Sequence, residues 1–135
     1  MEAQKKMTED HGDVRYQRGL EQLTKVDGSA GENVVKRLAE FAPDFARLLV
    51  EFPFGDIYSR PGLDLRSREI ATVAMLAAMG SCDKQLAVHI HAALNVGLTK
   101  DEILEVLMQV SVYAGFPRAL NAIAVAREIL GDQSE

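Results

Sequence analysis

Three side chains capable of chemistry fall on one stripe of one stretch. Cys82, Gln85 and His89 stand at i, i+3 and i+7, so a helix stacks a thiol, an amide and an imidazole along one face. Cys82 follows Gly80-Ser81 and so stands at a helix start, where unpaired N–H groups favour a thiolate; a small buried hydrophobe is the plainer role. His89 can carry a proton near neutral pH, or simply bond a carbonyl in the core. Upstream, Glu69 opens the apolar run Ile70–Met79, in which Thr72 is the exception. A carboxylate there suits the first turn of a helix. Partly buried, its pKa raised by desolvation, it can also act as a general acid or base. His91 lies about 200° around the helix from His89, so a surface or subunit contact suits it better. No metal site is expected, since His89 and His91 cannot face one point and no second ligand cluster follows.

The elements that must position these groups are helices. The chain has 135 residues, 47% hydrophobic and 26% charged, which suits one domain around one core. No period-2 alternation of useful length occurs, so the fold class is all-α, a compact bundle of about seven helices joined by short loops. Trp is absent and aromatics are 6%, leaving Leu, Ile, Val, Ala and Met to fill the interior. A net charge of -5 gives no electrostatic case for nucleic acid or an anionic membrane. The apolar run is too short to span a bilayer and the first residues hold no signal core. With a single cysteine there is no intrachain disulfide, which fits a cytoplasmic setting.

In order along the chain, residues 1–12, with His11, read as a flexible polar tail, and 13–135 as the helical domain. Val14, Gly19, Leu20 and Leu23 give a weak stripe, and Asp27-Gly28 marks a turn. Ser29 and Glu32 have capping-box spacing ahead of a short helix with Val34, Val35, Leu38 and Ala39 inward. Pro43 suits the first turn of a helix whose stripe is Phe45, Leu48, Leu49 and Phe52, interrupted by Pro53. Asp64 caps the next helix, which the apolar run predicts to be buried all round. Gly97 ends the Cys82–Val96 helix. Thr99 and Glu102 then form a capping box with Leu98 stapled against Ile103, which accounts for the pair Asp101–Glu102. The last helix follows Gly115-Phe-Pro117, with Leu120, Ile123, Ala124 and Ile129 inward.

The segments LDLRSREIATVAMLAAMG and QLAVHIHAALNVGLTKDEILEVLMQVSVYAGFPRALNAIAVAREIL resemble the carboxymuconolactone decarboxylase family, which includes the alkylhydroperoxidase-D-like proteins. The resemblance covers Leu63 to Leu130 and extends to Gly55–Leu63. It implies an alkylhydroperoxidase-D-like helical subunit assembling into homotrimers or homohexamers, with its site between helices. The peroxidase branch carries Cys-x-x-Cys, a His four residues later and a Glu upstream. Cys82, His89 and Glu69 fall at three of those places, and Gln85 replaces the second cysteine. Disulfide cycling needs two thiols, so a peroxidase using Cys82 alone would need an outside thiol.

The decarboxylase branch lacks the cysteine pair, and the Arg-Pro-Gly-Leu-Asp signature is similar to it, although Pro53-Phe54 stands where a Trp-rich stretch is usual. That branch implies cofactor-free decarboxylation of 4-carboxymuconolactone, or a similar small acidic lactone, in aromatic-compound catabolism. His89 then serves as proton donor or oxyanion partner and Glu69 orients it, while Gln85 donates an amide hydrogen bond and Arg60 holds a substrate carboxylate. The expected partners are therefore a small acidic lactone, or a hydroperoxide in the alternative reading, and further copies of the chain. A non-catalytic oligomeric scaffold is the third reading.

Overall fold

The computed structural model describes the backbone of residues 2–131 and the side chains of residues 13–131. The expected tail over 1–12, with His11, lies outside the described side chains. Among the described residues the chain is all-α, with no strand. It forms two compact units that divide between Leu63 and Asp64.

In the first unit, helix α1 (Glu2–Phe41) bends at Gly28, where φ is 59° and ψ is -146°. The Asp27-Gly28 turn signal thus appears as a kink between two helical halves. At the predicted Ser29 box, the Glu32 carboxylate accepts from the Thr24 hydroxyl at 2.9 Å. Helix α2 (Pro43–Leu49) starts on Pro43 as expected. Pro53 does not stop the chain's winding: it sits inside a π-helical segment, Val50–Tyr58. The wider turn of a π-helix bonds five residues apart, a pattern no local residue preference announces. This segment packs tightly on α1. A Cβ at Gly19 would collide with the Val50 carbonyl oxygen, so only glycine allows the approach. Leu23, Val26, Val35, Ala46, Val50 and Phe54 form the unit's buried apolar set.

The stripe of α2 departs from expectation. Phe45 is 62% exposed, and Leu48 and Phe52 are exposed as well; Val14 and Val34 also face outward. Each helix buries a narrower face than its apolar residues suggest.

Among the described residues the second unit has four helices: α3 (Leu65–Met79), α4 (Asp83–Asn95), α5 (Lys100–Tyr113) and α6 (Phe116–Leu130). Its core joins Val73 and Ala77 of α3 to Leu86 and Ile90 of α4, Ile103 and Leu107 of α5, and Ala122 and Ala126 of α6. The capping box forms as read: Thr99 Oγ1 accepts from Glu102 N and Glu102 Oε1 from Thr99 N, both at 3.1 Å. Leu98 and Ile103 are both buried.

Two expectations are corrected here. Helix α3 is not buried all round, because Met75 and Met79 are more than half exposed. Helix α6 buries Ala119, Ala122 and Ala126, leaving Leu120 and Ala124 exposed. Small residues at i, i+3 and i+7 let helix axes approach closely, and that wins over burying the larger side chain. No helix among the described residues is long and apolar enough to cross a membrane.

Candidate active site

Helix α3 presents Glu69 from a well-fixed start. The Asp64 carboxylate accepts from Ser67 N at 2.6 Å, which caps the helix and holds the Asp64 pKa below its ordinary value. Within the same first turn, Arg66 donates to Glu102, so the head of α3 is tied to the head of α5. Glu69 follows three residues later and its side chain is 0% exposed.

Helix α4 presents His89 at the margin of its buried face, next to the fully buried Ile90. The imidazole is 19% exposed, and its Nδ1 lies 2.9 Å from Glu69 Oε2. A carboxylate only accepts, so against it Nδ1 is the donor. The other nitrogen, Nε2, is then the one Glu69 does not hold, and proton exchange with a ligand falls to it. A buried carboxylate on an imidazole also stabilises the imidazolium, since the two opposite charges lie where water screens them least.

The turn between α3 and α4 sets this meeting. Gly80 adopts φ 69° and ψ 170°, and Ser81 follows at φ 56°. Ser81 is the one non-glycine residue with positive φ among those described. Cys82 is the N-cap of α4, half-buried, with no side-chain cap bond.

The structure therefore brings together two of the five residues singled out from the sequence, Glu69 and His89. Cys82 heads α4, about 10 Å of helix rise before His89, which is beyond direct thiol–imidazole bonding. Gln85 is exposed on α4 rather than facing the interior. Arg60 is exposed in the loop after the π-helical segment, in the first unit. Among the described residues no group of three or more His, Cys, Asp and Glu is placed to hold a metal ion.

Sequence reasoning missed a second buried glutamate. Glu51 accepts from Arg15 Nη1 at 3.0 Å and from Arg47 Nε, and its side chain is 7% exposed. Arg15 also forks onto Asp56, through Nε at 2.9 Å and Nη2 at 2.6 Å. That hydrogen bonding lowers the Asp56 pKa and raises that of Arg15. Arg18 Nε donates to Gly55 O at 2.7 Å, so two arginines of α1 hold the π-helical segment. The available signal was a lone acid inside the run Leu48-Leu-Val-Glu-Phe52, with Arg47 four residues before it.

Comparison with known proteins identifies the family of the chain. The model of the carboxymuconolactone decarboxylase family matches residues 43–128, and the chain belongs to that family. It is 39% identical to the 4-carboxymuconolactone decarboxylase of Acinetobacter baylyi, over 87% of this chain and 88% of that protein. It is 29% identical to the nitrosuccinic acid decarboxylase of Metarhizium robertsii, over 75% of this chain and 70% of that one. An uncharacterised 15.0 kDa protein of Paracoccus denitrificans is 28% identical over 75% of this chain and 76% of its own length.

Proposed function

We propose that this chain is a decarboxylase of a small carboxylic acid, with 4-carboxymuconolactone or a similar acidic lactone as its substrate. The observation that carries the reading is the Glu69–His89 contact, 2.9 Å long, with its carboxylate withdrawn from solvent. Two relatives named as decarboxylases of small acids support it.

The chemistry follows from the pair. In a lactone whose carboxylate is borne on a saturated ring carbon next to a C=C bond conjugated with the ring carbonyl, the carbon–carboxylate bond can break. Carbon dioxide leaves, and the bonding electrons pass into the carbonyl as an enolate. Protonating a ring carbon then completes the exchange of carbon dioxide for a proton. His89 supplies that proton from Nε2 as an imidazolium, and Glu69 holds the imidazolium in place through Nδ1. One proton from solvent restores the pair, so the protein's own groups close the cycle without a cofactor. Gln85, exposed on the helix that carries His89, keeps the role the resemblance implies, an amide donor to substrate, and substituting it raises KM with kcat retained.

Carbon dioxide release from 4-carboxymuconolactone tests the reading, with the Glu69→Gln protein as control. A folded protein without turnover on this or a related acidic lactone ends it. A thiol-dependent peroxidase using Cys82 is the alternative outcome, recognised by hydroperoxide consumption that Cys82→Ser abolishes.

The chain is also proposed to self-associate. Phe41 and Tyr113 are more than nine-tenths exposed, and Phe45, Met79, Val112 and Phe116 are more than half exposed. So many large apolar side chains in water mark surfaces that another protein covers. Light scattering on the purified protein gives the assembly size, and a monomer at micromolar concentration rejects the proposal.

A further inference from the structure

We infer that Arg118 is a positioning residue, holding the Gly80-Ser81 elbow so that α4 delivers His89 onto Glu69. The inference rests on the reading of Glu69 and His89 as the reacting pair.

The elbow is strained. Gly80 and Ser81 take positive φ in succession, and a serine holds such a conformation only where its surroundings fix it. The helix before the elbow ends on carbonyls that have no partner within the helix. Arg118, in the first turn of α6, supplies what is missing. Its Nη1 donates to the Met79 carbonyl, and a guanidinium at a helix C-terminus also suits the dipole there. The same group lies over Gly80 so closely that a Cβ there would strike Nη1. Helix α6 is itself locked into the core through Ala119 and Ala122, so Arg118 reaches the elbow from a fixed base.

The lever is long enough to matter. Glu69 stands ten residues before Met79, about 15 Å of helix rise. A tilt of about 5° at the elbow moves one helix against the other by more than ~1 Å at that distance. The hydrogen bond at 2.9 Å has no such slack. Arg118 acts on both members of the pair through the angle between α3 and α4.

The test uses Arg118→Met, Arg118→Lys and Gly80→Ala in the full chain. Arg66→Ala serves as a comparison that loosens α3 from α5 instead. Proton and nitrogen NMR of the His89 ring report whether Nδ1–H stays bonded to Glu69. The expected result is that Arg118→Met weakens that signature and lowers kcat about 10-fold with KM within twofold. Arg118→Lys restores most of both, since an ammonium can still donate to Met79. Gly80→Ala reproduces the defect, and the double variant is no worse than either single one because both act on one elbow. Arg66→Ala lowers thermal stability and leaves the ring signature intact.

The inference is overturned if Arg118→Met lowers stability but preserves the ring signature. It is equally overturned if KM rises instead of kcat falling, which would put Arg118 on the substrate, or if the two single effects multiply. The NMR arm decides the matter even if no lactone is turned over, so failure of the decarboxylase reading remains a separate result.

Discussion

Glu51 and Glu69 are both buried glutamates, one in each unit, and they keep different company. Glu51 faces two guanidinium groups, Arg15 and Arg47. Glu69 faces one imidazole, His89. Arginine does not release its proton under any ordinary condition, so neither partner of Glu51 can exchange one, and the cluster serves to fasten α1 to the π-helical segment. Histidine is the side chain that can take and give a proton near neutral pH, so Glu69 has a partner able to exchange one. Burial alone does not make a carboxylate chemical. The difference lies in whether its partner can titrate.

The comparison is broken most directly by exchanging effects between the two sites. Glu69→Gln and His89→Asn are each expected to lower kcat/KM for the lactone by about 10²–10⁴-fold with helix content unchanged, as followed by carbon dioxide release and circular dichroism. Glu51→Gln is expected to leave kcat within about twofold and to lower stability by ~1–3 kcal/mol in a urea melt. It removes the charge that two half-exposed arginines share while leaving water to solvate them. If Glu51→Gln abolished turnover instead, the division between a fastening acid and a reacting acid would be lost.

Smaller effects sharpen the picture. Thr99→Ala removes one bond of the capping box and should cost about 1 kcal/mol, seen as a lower urea midpoint with unchanged slope. The smallest effect is acid dependence from Asp56 and Asp64, whose folded pKa values lie below the ordinary value. A depressed carboxylate pKa stabilises the fold fully above the unfolded value, near 3.9, and loses that contribution as pH falls through the folded one. Both groups are partly exposed, so solvent screens them. Denaturation at pH 3 against pH 6 should show the loss, and Asp56→Asn should reduce it.

Local signals read well from the sequence and long-range ones read poorly, for a physical reason. The Thr99–Glu102 box, the Asp64 cap and the Pro43 start each involve neighbours within four residues, where type and spacing decide geometry. Glu69 and His89 could each be singled out by type, but their contact depends on an elbow twelve residues after the first. The register of that elbow is set by Gly80, Ser81 and a distant arginine. On α2 and α6 hydrophobic size is a poor guide to burial, although Ile123 and Ile129 do pack against the core as expected. Close helix packing selects alanine for the seam, leaving Leu120 and Phe45 outside. The π-helical winding of Val50–Tyr58 was not legible because Pro53 carries the same signature whether it ends a helix or widens one.

Glu102 answers to two neighbours at once, a backbone amide at the head of its own helix and the guanidinium of Arg66. Glutamine would keep the first and weaken the second, and aspartate is too short to span both. Position 102 is therefore more constrained than Asp101 beside it, which is exposed and held by neither. A library of variants across this helix start should be enriched in glutamate at 102 and show no such preference at 101.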